Sequence, residues 1–170
     1  MKKGFTIVEL LMVVTVIAVL LGIVTTAAQA SMRAARERKA QAMKSILQGG
    51  LAVYHRQNDK WPDAIEPYAD KGESHTLNAG EYDDVMKELL EQSTGVEGKN
   101  PLMDPTGLMV MRKGTPDGNA IAKDFRAVVT DKKSSLKVDQ MTVVYPSTDS
   151  GKAKRFTIHY NAAIDSATVN

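Results

Sequence analysis

The run from Leu10 to Met32 constrains this chain more than any other feature: it is uncharged throughout and consists mostly of Leu, Val, Ile, Ala and Met. At about 1.5 Å per residue, a helix over these residues reaches about 34 Å and crosses a hydrocarbon core of about 30 Å. The run therefore predicts a membrane helix. Lys2 and Lys3 precede it, and a carboxylate, Glu9, stands at its start. An acidic residue costs about 3 kcal/mol at the centre of an inserted helix and less near an interface, so Glu9 requires a compensating group. Cleavage between Gly4 and Phe5 would supply one. The new α-amino group would lie one helical turn from Glu9 of its own chain, or opposite Glu9 of a neighbouring copy. Away from water an unpaired charge is costly, so pairing between copies would both favour assembly and fix their axial offset.

Two other readings of the amino terminus compete with this one. Ala28-Gln29-Ala30 before Ser31 has the small-residue pattern of a secretory signal cleavage site, which would release a soluble binding domain. Against it, the apolar run exceeds the usual signal-peptide core of about 7–15 residues, and Glu9 sits awkwardly at its start. A plain anchor would leave Gly4, Phe5 and Glu9 accidental. Charge counting across the span, Lys2 and Lys3 against Arg33, Arg36, Arg38, Lys39 and Lys44, favours a cytoplasmic head.

Gly4-Phe5-Thr6-Ile7-Val8-Glu9-Leu10-Leu11 closely resembles the class III signal of type IV pilins and type II secretion pseudopilins. The resemblance covers about the first thirty residues: basic leader, Gly, aromatic, acid and apolar run in register. It implies cleavage after Gly4 by a prepilin peptidase, N-methylation of Phe5, and assembly through Phe5 and Glu9 into a helical homo-oligomeric filament. It further implies an inner-membrane assembly platform and other minor pilins or pseudopilins as partners, with membrane lipid around the helix. The head is then expected outside the cytoplasm, against the charge count. A type II secretion pseudopilin is the first expectation, and a type IV pilin for adhesion, motility or DNA uptake the alternative. Many type IV pilins close their C-terminal region with a disulfide, and the absence of cysteine here leans toward a pseudopilin.

No proline interrupts residues 30–58, and Ala40, Met43, Leu47, Leu51 and Tyr54, with Ile46 and Gly50 beside them, recur on one helical face. The expected divisions are a leader at 1–4, an assembly helix at 5–32, its amphipathic continuation at 33–58 and a head at 59–170. Arg33, Arg36, Glu37, Arg38, Lys39 and Lys44 form a charged collar, read as solvated or facing anionic lipid or acids of adjacent subunits. Gly22, Gly49 and Gly50 are the candidate flexible points. The helix should end at Asn58-Asp59-Lys60 before Trp61-Pro62, with Trp61 turning into the core.

In the head, Asp63 to Gly80 reads as turn-rich. Residues 81–93 read as a short helix, with Asn78 and Glu81 in the positions of a capping box. Residues 108–111, 125–130, 141–145 and 155–160 read as short strands, the last with Phe156, Ile158 and Tyr160 facing inward. The fold class is α+β: a long helix packed on a small antiparallel sheet, pilin-like. Asp104-Pro105-Thr106-Gly107 is similar to the Asp-Pro-Trp-Gly turn of major pseudopilins. Asp117 and Asn119, with Asp124, could offer oxygen ligands to calcium, which major pseudopilins use to pin a loop, but Asp117-Gly118 reads more simply as a turn. His55, His75 and His159 lack ligand spacing and no nucleotide or hydrolase motif is present, so no enzyme is expected. The leaderless chain balances 20 basic against 20 acidic residues and gives no argument for nucleic acid.

Overall fold

The computed structural model describes residues 6–94, 101–130 and 136–170. Helix α1 runs from Ile7 to Asn58. The chain divides into two compact units, the first ending at Ala35 and the second comprising Arg36 to Asn170. In the first, mean hydropathy reaches 2.9 over the most apolar stretch, and none of that stretch is buried by the chain itself. Side chains such as Ile7, Leu11 and Ile23 stand more than half exposed. Such a surface is consistent with anchoring in a non-aqueous surrounding.

The second unit is built on the rest of α1. Met43, Leu47 and Leu51 are fully buried and Tyr54 nearly so, the face that the spacing predicts. Each fully buried side chain of this size contributes about 1.5–3 kcal/mol. α1 ends at Asn58 as expected; Asp59 then takes a left-handed φ of 53°, and Trp61 turns inward to stack on His55 with ring centroids 4.2 Å apart.

The head follows as α2 (Glu66–Lys71), β1 (His75–Thr76), α3 (Ala79–Ser93), β2 (Met109–Arg112), β3 (Lys123–Asp124), α4 (Phe125–Thr130), β4 (Met141–Val143), β5 (Tyr145–Pro146), β6 (Ala153–Lys154), β7 (Ile158–Asn161) and β8 (Ser166–Val169). The strands form small antiparallel sheets ordered β1-β7-β8, β3-β2-β4 and β5-β6. The α+β class holds, with several short sheets where one was expected. α3 carries both halves of its capping box: Asn78 Oδ1 accepts from the N–H groups of Gly80 and Glu81, and Glu81 Oε2 accepts from Asn78 N at 2.8 Å. Tyr82, Val85, Met86, Leu89 and Leu90 of α3 join the α1 face and the sheets in one core.

Three expectations are corrected. Residues 125–130 are the helix α4, because Asp124 Oδ1 accepts from the N–H groups of Arg126 and Ala127 and starts a turn that the β-branched content concealed. The strand expected at 155–160 begins at Ile158, and Arg155 leaves the ladder to form ion pairs. It is not the last strand, since β8 follows through a turn whose Asp165 takes a φ of 42° without glycine. Within the segment read as turns, α2 and β1 were not anticipated; α2 carries a proline in its first turn, where no N–H is needed.

Candidate functional site

At the start of α1, Glu9 closes on Thr6. Glu9 Oε2 accepts from Thr6 N and from Thr6 Oγ1, each at 2.9 Å, and Thr6 Oγ1 accepts from Glu9 N at 3.3 Å. Thr6-Ile7-Val8-Glu9 is thus a capping box, Thr at the cap and Glu three residues on, satisfying backbone donors that the first turn leaves orphaned. The pattern Thr-x-x-Glu that defines the box is present in the sequence. Glu9 Oε1 accepts nothing among the described residues, and the carboxylate caps the start of the helix through Oε2. Gly4 and Phe5, the expected cleavage and methylation positions, lie outside the described residues.

Gly22, Gly49 and Gly50 all lie within α1. A Cβ at Gly22 or Gly49 would meet nothing within 4 Å, whereas one at Gly50 would stand 2.9 Å from Met103 Sδ. Gly50 is therefore where the Met103 side chain approaches the helix backbone. In the collar, Arg36 Nη1 donates to Thr148 O at 2.9 Å.

The proposed calcium ligands do separate work. Gly118 has a φ of 79° and Asn119 N donates to Pro116 O, so Asp117-Gly118 forms a turn. Asp117 accepts from Arg155 Nη1 at 2.6 Å, Asp124 caps α4, and Asn119 is exposed. Among the described residues no group of three or more His, Asp or Glu side chains gathers as a metal site. Asp104 Oδ1 caps the turn Pro105–Gly107 directly before β2.

The charged side chains of the head tie segments together. Arg155 binds Asp83 through Nε (2.8 Å) and Nη2 (2.9 Å) and also donates to Thr115 O. Burial disfavours the Asp83 anion, but Arg155 and the Gly114 N–H outweigh it and hold its pKa below the usual carboxylate range. Asp165 accepts from Trp61 Nε1 (2.8 Å) and Tyr160 Oη (2.9 Å), and the Trp61 bond leads in lowering its pKa. Tyr68 stacks on His75, and both meet Glu81. Tyr54, Asp63, Glu88 and Glu91 line a polar cleft of about 190 Å³, below the ~300 Å³ at which small-molecule pockets begin. Burial raises the Glu88 pKa; the hydrogen bond from Tyr54 opposes it, and nearby Asp63 adds a smaller upward push.

An exposed apolar rod, an acid-capped start and an α+β head define a chain whose amino-terminal helix fits membrane anchoring. More particularly, residues 1–25 match the model of the prokaryotic N-terminal methylation motif, the class III signal of type IV pilins and pseudopilins. The motif belongs to structural pilin-type subunits and implies processing by prepilin peptidase. No curated protein and no solved structure matches the chain.

Proposed function

We propose that the chain is a pseudopilin of a type II secretion-like system, cut after Gly4, methylated on Phe5 and polymerised through α1 with its head outside the cytoplasm. One observation supports the assembly part of this reading: within the matched motif, Thr6 holds the Glu9 carboxylate at the start of α1, where a neighbouring subunit's terminal amine would pair with it. The exposed apolar surface of the first unit supports it, since burial among like helices and lipid is what such a surface needs. The absence of cysteine, with Arg155 fastening α3 to the loop at Thr115–Asp117, fits a pseudopilin head that needs no disulfide.

The test is Glu9→Ala in the native host, followed by subunit cross-linking and assay of secretion. The variant is expected to be processed and to remain in the membrane while ordered cross-links and secretion are lost. Normal assembly by the variant would overturn the pairing. A deletion strain that secretes normally but loses surface adhesion or motility would instead identify a pilus subunit.

A further inference from the structure

We propose that a lysine-bearing ribbon on the head, residues 121–123 with 152–154, docks on the anionic phospholipid surface of the bilayer that holds the apolar span. Ile121 and Lys152 face each other across an antiparallel bridge, so their side chains share one side of the ribbon. Alternation places Lys123 and Lys154 on that same side, with Ala122 and Ala153 buried on the other. The outward side thus presents three exposed lysines around Ile121, which is 76% exposed. None of the three has an ion-pair partner among the described residues. Of the acids beside these segments in sequence, Asp117 is paired with Arg155, while Asp124, which caps α4 through neutral backbone N–H groups, and Asp149 in the β5–β6 turn keep their charge, so the lysines outnumber them three to two.

The location selects the lipid. Thr148 O, in the turn leading to β6, accepts from Arg36, and the Arg36 guanidinium lies 3.1 Å from where a Cβ on Gly151 would stand. Arg36 is only four residues beyond Met32, the end of the apolar run, and four residues of chain span at most about 14 Å. Connectivity alone therefore keeps Arg36, and the turn it holds, within reach of a headgroup layer around the end of the apolar run, where lysines would attract anionic lipid and an exposed isoleucine would enter the interface. Ile164, also exposed at 68%, serves as the contrast. It precedes Asp165, which meets Trp61 and His55, and His55 is nineteen residues up α1 from Arg36, about 28 Å along the helix.

This inference rests on the span being retained in the membrane, and not on filament assembly. Because the chain has no cysteine, Ile121→Cys or Ile164→Cys in the full chain accepts a single environment-sensitive fluorophore. Each labelled chain, with its span verified by mass, is placed at one copy per nanodisc of phosphatidylcholine with or without phosphatidylglycerol. At 121 the emission should shift to the blue only in anionic discs, and the shift should vanish with high salt or with Lys123→Glu, Lys152→Glu and Lys154→Glu combined. At 164 emission should stay that of water in both lipids. Equal emission at 121 in the two lipids would overturn the proposal, as would a shift that requires several copies per disc, which would assign the ribbon to a second subunit. Failure of Glu9→Ala to alter assembly, with the lipid-dependent shift intact, would count against the filament reading alone.

Discussion

Arg155 has an exposure of 8% on its side chain and its partner Asp83 4%, so neither charge tolerates loss of the other. Removing one member of a buried pair costs about 3–5 kcal/mol, because the remaining charge is left without compensation. Arg155→Met is therefore expected to lower stability by that amount in denaturant unfolding, while Asp83→Leu combined with Arg155→Met recovers most of it. The same pair predicts acid sensitivity. An unfolded Asp titrates near 3.9 and folded Asp83 titrates lower; its stabilisation is full above the unfolded value and is lost as pH falls through the folded one. Thermal unfolding followed below about pH 4 should show a steeper loss in the parent than in the double variant. A smaller gain waits at Ser93, whose buried Oγ has no hydrogen-bond partner among the described residues. Ser93→Ala removes that unsatisfied group and favours the helix, so it should stabilise by up to about 1 kcal/mol.

Among the elements, the caps carry separable contributions. Asn78→Ala deletes the acceptor for two α3 donors and should cost about 1 kcal/mol in denaturant unfolding. At Gly50 the obstacle is the end of a flexible side chain, so Gly50→Ala should be nearly neutral, whereas Gly50→Leu should destabilise by about 1–3 kcal/mol because Met103 has to leave its place. These contrasts show what could be read in advance. The α1 face, the α3 cap and the inward residues of β7 were legible because periodicity and side-chain chemistry within a few residues determine them. α4 was not legible: Phe125, Val128 and Val129 suit a strand, and only the Asp124 cap reverses the preference. β8 was hidden because its turn uses Asp165 at positive φ, whose carboxylate is held by distant Trp61 as well as by neighbouring Tyr160. The Thr6–Glu9 box is written in the sequence as Thr-x-x-Glu, so the local partner of Glu9 is as legible there as its cost in a membrane.

For the molecule as a whole, the two units answer to different solvents. The head closes its core with α1 beyond Arg36, and its buried pair Asp83–Arg155 and the Asp165 carboxylate fasten turns and sheet edges without a covalent bridge. The first unit leaves its apolar side chains uncovered, and its one carboxylate is held at the start of the helix, which fits membrane anchoring and, under the proposed function, burial among lipid and other copies. Everything proposed for the assembly depends on a new terminus being made beside Glu9. Intact mass and amino-terminal fragment spectra of the protein from its native membrane measure this directly. The account predicts a chain beginning at Phe5 with one added methyl group on its α-nitrogen; a chain that retains Met1, or one that begins at Ser31, would contradict it.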